Sequence, residues 1–200
     1  MTDEYLTVKE YATARFKEKG SKFIGHIYPV NSRDDAAQRL SEVKQEYYDA
    51  THNCSAYVIG LGDETDFHYD DDGEPSGTAG KPIYQAITGA DLTNVIIIIT
   101  RYFGGTKLGT GGLIRAYGES AHLTIENATI VRKVLTETVS LETTYEDISA
   151  VMRTIENMEA RITDQDYGEK IRITVAVRQS LAEQFRRQLI DSTGDRIAFV

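Results

Sequence analysis

Residues 95–100 read VIIIIT, six β-branched residues in succession. Such side chains are stiff at χ1 and pack well on a pleated surface, and a run without alternation leaves no face for water. The run therefore predicts a central strand buried on both sides, with other elements layered above and below it. The flanking sequence supplies those layers. Segments 11–16 and 22–30 predict a hairpin around EKGSK, and 33–48 a helix with Ala36, Ala37, Leu40, Val43 and Tyr47 on its apolar side. Segment 52–61 predicts a strand, 66–69 a short one, and 78–88 a helix. After the central strand, 112–127 is helical, with Leu113, Ala116, Tyr117, Ser120, Ala121 and Thr124 on one side.

Beyond Lys133 the glycines thin out and a simpler pattern follows. Strand patterns at 134–144, 160–167, 170–177 and 196–200 enclose helical spacing at 145–158 and 181–190. The order βαββαβ is the ferredoxin-like split motif. The chain is accordingly expected to be α+β, with one domain over 1–134 and a ferredoxin-like one over 135–200.

Charge limits the function classes. The net charge is -9 and the pI near 5.0, which argues against coating nucleic acid by bulk charge. The acids are unevenly placed: seven lie between Asp63 and Glu74 with no Lys or Arg among them. Residues 101–118 hold Arg101, Lys107 and Arg115 and no acid, so a local anion site survives the global charge. No apolar stretch is long enough to span a membrane, and the polar start MTDEYLTVKEY lacks the pattern of a signal peptide. A cytoplasmic location is expected. Cys54 is the sole cysteine, which excludes an internal disulfide and a cysteine-based zinc site, and its β-like surroundings read as structural.

Chemistry is expected where the glycines are. Ten of the 16 fall between Gly73 and Gly118, and two loops there stand out, DDDGEPSGTAGKP and RYFGGTKLGTGGLIRAYGES. The second loop follows the buried strand and opens a helix, the arrangement in which free N–H groups and the helix dipole favour an anion. Known phosphate loops do not fit. A P-loop ending at Gly80–Lys81 meets proline at 75 and 82, and a dinucleotide fingerprint starting at Gly109 meets Ile114. An EF-hand aligned on Gly73 would place His68 and Ala79 where acids are required, and no metal site is expected. In the first loop, Ser76 or Thr78 is positioned to cap the following helix.

The segments SKFIGHI (21–27), ATHNCSAYVIG (50–60), DDGEPSGTAGKPI (71–83) and TRYFGGTKLGTGGLIRAYGESA (100–121) together resemble the bacterial YigZ branch of the IMPACT family. The resemblance implies a ribosomal protein S5 domain 2-like N-terminal domain and a ferredoxin-like C-terminal domain similar to the fifth domain of elongation factor G. Eukaryotic relatives regulate translation through a kinase activator by means of an additional RWD domain, which this sequence is expected to lack. The resemblance brings no catalytic residues and no cofactor.

Two readings follow. The first is a protein associated with RNA or a ribosomal component, with a translation-related regulatory role and no DNA-specific signal. In it, Arg101, Tyr102, Lys107, Thr110 and Arg115 present charge and a ring to phosphate and base. The plain structural alternative pairs Arg115 with Glu119 one helical turn away. The second reading is an enzyme acting on a small phosphorylated or nucleotide-like molecule, with His52, Asp71, Asp72 and Glu74 supplying a base or cation ligands. For the acidic loop, the alternative to capping alone is that the two glycine loops face each other across one site, the acids positioning a cation or a basic group beside an anion held by the second loop. The test is whether Glu74 and Arg101 lie within reach of each other.

Overall fold

The computed structural model describes residues 3–200, which divide into two compact units. One spans Tyr5–Lys133, and the other comprises residues 134–200 together with 3 and 4.

In chain order, the first part of the molecule contains β1 (Glu4–Val8), β2 (Ala12–Glu18), β3 (Ser21–Pro29), α1 (Arg33–Glu46), β4 (His52–Ile59), β5 (Asp66–Asp70), α2 (Gly80–Gly89), β6 (Val95–Tyr102), α3 (Gly109–Glu126) and β7 (Ile130–Val134). Five of the strands form one sheet in the order β2-β3-β6-β4-β5, every neighbouring pair antiparallel. The VIIIIT run is its centre. Val95, Ile97 and Ile99 join the core with α2 and α3 residues Ile83, Ile87, Leu113 and Tyr117, while Ile96 and Ile98 meet α1 through Ala36 and Val43. A strand with two apolar faces needs a helical layer on each, and this fold provides both. The β5 edge is blunted by charge, with Asp66 paired to Arg33.

β1 and β7 form a separate two-stranded sheet that the sequence reading did not anticipate. Two helix starts in this part of the chain also differ from expectation. α3 begins at Gly109 rather than at 112, and α2 at Gly80 rather than at 78.

The second part contains β8 (Thr136–Thr143), α4 (Ile148–Asn157), β9 (Arg161–Tyr167), β10 (Ile171–Arg178), α5 (Ala182–Thr193) and β11 (Ala198–Phe199). Its sheet order, β11-β8-β10-β9, is the split βαββαβ arrangement. Val139, Leu141, Ile173 and Val175 alternate inward to meet Val151 and Ile155 of α4 and Phe185 and Leu189 of α5. α5 ends at Gly194 in the left-handed conformation (φ 59°), as a glycine C-cap requires. The fold is α+β, an S5 domain 2-like unit followed by a ferredoxin-like one. Among the described residues, no helix is long and apolar enough to cross a membrane.

Candidate functional site

The β2–β3 turn consists of Lys19 and Gly20, both in the left-handed region (φ 46° and 84°), as a two-residue hairpin of this twist requires. Gly20 lies back to back with Gly104. A Cβ on Gly104 would stand 1.9 Å from the Gly20 carbonyl carbon, so only glycine allows the two backbones to meet. Ser21 secures this junction: its Oγ accepts from the Gly104 N–H at 3.2 Å and from Arg101 Nη2 at 3.3 Å.

Arg101 leaves the end of β6 and turns inward. Its Nη1 donates to Glu74 Oε1 at 2.5 Å, and the two side chains are only 6% and 4% exposed. The guanidinium also lies 5.6 Å from the Phe23 ring and 5.7 Å from the Phe103 ring, within cation–π range of both. Tyr117 of α3 donates to the same Glu74 oxygen at 2.8 Å. Burial pushes the Tyr117 phenol and the Cys54 thiol far above their ordinary values, so both stay protonated. Cys54, 3.3 Å from the Tyr117 hydroxyl, is therefore a packed donor with no nucleophilic character.

Every acid of DDDGE has a partner within the unit. Asp70 Oδ1 accepts from the Asp72 N–H at 2.9 Å. Asp71 accepts from the backbone N–H groups of Gly77, Ala79 and Gly80 at 2.7, 3.0 and 2.9 Å, and so caps α2 from the preceding turn. Neither Ser76 nor Thr78 does this work. Ser76 is exposed, and the Thr78 hydroxyl donates to the Pro75 carbonyl. Asp72, in the left-handed region, accepts from the Asn53 N–H and from Lys44 Nζ, both at 2.7 Å. The Asp72 carbonyl accepts from His52 Nδ1 at 2.7 Å, which fixes the proton on that nitrogen and leaves Nε2 3.9 Å from Glu74 Oε1.

The two glycine loops thus meet, and the Glu74–Arg101 pair joins them. Arg101, expected among the phosphate-facing groups, has both terminal nitrogens engaged inward, whereas Lys107, Thr110 and Arg115 are exposed. Tyr102 is half-buried, its hydroxyl held by Asp49 Oδ1 at 2.7 Å, and its phenol is pushed up to about 12, chiefly by that bond. Beside the first turns of α3 lies a groove of about 470 Å³ whose lining includes Phe16, Lys19, Leu108, Gly112, Arg115 and His122. Arg115 and Glu119 both line it without forming an ion pair among the described residues.

Sequence reasoning did not single out Ser21, Tyr117, Lys44 or the Gly20–Gly104 contact. Ser21 opens the first of the four quoted segments, and Gly104 and Tyr117 lie in the fourth, which was the available signal.

Fold and site together define a two-domain α+β protein in which four separated motifs converge to hold one loop surface in place. Ser21, His52 with Cys54, Asp71 to Glu74, and Arg101 with Tyr117 are their meeting points. The chain belongs to the IMPACT family: the Impact N-terminal domain matches residues 19–125, and a domain of unknown function (DUF1949) matches residues 141–196. It is 32% identical over 196 residues to the IMPACT family member YvyE of Bacillus subtilis, covering 98% of this chain and 90% of that protein. To the IMPACT family member YigZ of Escherichia coli it is 30% identical over 174 residues, 86% of this chain and 85% of that one. A crystal structure described as that of a hypothetical protein superposes with a TM-score of 0.73 at 27% identity, over 100% of this chain and 98% of that one.

Proposed function

We propose that this protein is an RNA- or ribosome-associated factor with a translation-related regulatory role, and that it takes the RNA phosphate backbone at the second glycine loop. The observation that carries the reading is the state of the α3 N-terminus. It has no side-chain cap and no acid in its first turn, and it lies between exposed Lys107 and Arg115. Its leading N–H groups and the positive end of its dipole are therefore available to an anion. Gly109, with φ 71° and open space where a Cβ would be, leaves that backbone approachable. In a chain of net charge -9, a cationic loop of this kind is a local feature and acts at close range.

The first glycine loop has a supporting part. Glu74 holds Arg101 and Asp71 holds α2, so the second loop is presented from a fixed base. Binding to a short RNA or to ribosomes, measured with Lys107→Ala/Arg115→Ala beside the parent chain, tests the reading. Loss of binding in the double variant, together with weakening in salt, is expected. Binding that ignores salt and both substitutions sinks the proposal.

A further inference from the structure

The other face of the same sheet carries a second set of cations that the groove does not use. Along β2 the residues alternate: Glu18 lines the groove on the α3 side, while Arg15 and Lys17 are exposed. The register sets Lys17 opposite Lys22 and Lys22 opposite Tyr102, which places these three in one row across β2, β3 and β6.

α1 covers this face only in part. Tyr47, just past its end, packs on His26 with ring centroids 5.0 Å apart. The row of Lys17, Lys22 and Tyr102 lies four residues further along β3 and beyond the helix. Tyr48, 85% exposed, stands at that edge, next in the chain to Asp49, whose carboxylate accepts from the Tyr102 hydroxyl. Lys22 Nζ is 5.4 Å from the Tyr102 ring centroid, so one face of that ring is turned toward a cation rather than packed in the core.

Segment 13–22 holds four bases and one acid in an otherwise acidic chain. The acids at this edge are Asp49, engaged with the Tyr102 hydroxyl, and Glu46, beside Tyr47. Lys19 at the hairpin tip holds a left-handed conformation that is costly for a residue with a Cβ, and it lines the groove. It thereby joins the cations of the two faces.

Cations on a strand pair beside one exposed ring and one half-buried ring match one chemistry: phosphates spaced along a backbone whose bases are free to stack. We infer that this uncovered end of the sheet is a stacking platform for single-stranded RNA. Tyr48 and Tyr102 take bases, and Arg15, Lys17 and Lys22 take phosphates. The inference rests on the RNA-binding reading and extends it, since a strand held at the α3 groove continues past Lys19 onto the opposite face. A duplex, whose bases are already stacked, gains only the charge term.

The test uses the full chain with a fluorescein-labelled single-stranded 12-mer of uridine and a hairpin duplex of equal charge, read by anisotropy. The parent chain has no tryptophan, so Tyr48→Trp supplies a unique reporter at the platform. Quenching of that tryptophan by the single strand is expected. Tyr48→Ala should weaken the single strand roughly tenfold, the loss of one base–ring stack, and leave the duplex unchanged. Lys17→Ala/Lys22→Ala should lower the salt slope for the single strand by about 1.4. If the tryptophan is unquenched and both platform variants bind as the parent does, while Lys107→Ala/Arg115→Ala loses binding, the platform is refuted and the groove reading stands. If the parent binds neither RNA, both fall.

Discussion

Replacing Glu74 by alanine is the sharpest perturbation of the site. Among the described residues, it removes the only carboxylate on Arg101, whose side chain is 6% exposed, and the acceptor of the Tyr117 hydroxyl. An unpaired buried guanidinium is costly, and breaking a buried pair from one side typically destabilises by about 3–5 kcal/mol. The orphaned phenol keeps only its contact with the Cys54 thiol, so the upper half of that range is expected. For a chain of this size this corresponds to a fall in melting temperature of roughly 10 °C or more, readable by scanning calorimetry. The decisive control is Glu74→Met/Arg101→Met. Replacing both charges with apolar groups of similar length removes the desolvation cost with the attraction, so most of the loss should be recovered. A cost of under about 1 kcal/mol for Glu74→Ala, or a double variant as unstable as the sum of the single ones, would refute the claim that a closed ion pair clamps the loops.

Three further outcomes are expected. Asp71→Ala should destabilise by about 2 kcal/mol in urea unfolding, because the backbone N–H groups of Ala79 and Gly80 at the start of α2, and of Gly77 in the turn before it, lose a charged acceptor. Gly104→Ala should cost roughly 1–3 kcal/mol and also weaken RNA binding, since its methyl meets the Gly20 backbone and the loop has to move. His26, buried between Tyr11 and Thr100, has its pKa lowered to about 4, chiefly by burial, with Glu46 opposing. The native state holds it neutral while the unfolded state takes the proton first, so stability is full above about pH 6.5 and is lost as pH falls toward 4. The full loss is on the order of 3 kcal/mol. His26→Asn should flatten the dependence of melting temperature on pH across that window.

Parts of this architecture can be read from the sequence because they are local. VIIIIT has no polar face, so its place at the sheet centre follows from composition alone, and the βαββαβ order after Lys133 shows in periodicity. β1 and β7 escaped because each is five residues long and pairs across more than a hundred residues of chain. The capping of α2 was assigned to Ser76 or Thr78 because caps are usually adjacent in sequence. Here Asp71 reaches its N–H groups by way of a tight turn at Asp72 and Gly73. Arg101 illustrates the same limit in the site. Its spacing near Lys107 and Arg115 suggested three cations for one anion, but strand alternation turns its side chain into the unit, where Glu74 takes it. The Gly20–Gly104 contact joins residues far apart in the chain, and no local pattern announces it.

The central claim is that four converging motifs hold a cationic loop ready for RNA, and a salt titration of affinity tests it most directly. With Lys19, Lys107 and Arg115 each neutralising a phosphate, the logarithm of the binding constant for a single strand should fall against log salt with a slope of about -2 or steeper. Lys107→Ala/Arg115→Ala should make that slope shallower by about 1.4. A slope near zero, or an unchanged slope in the double variant, would contradict the account.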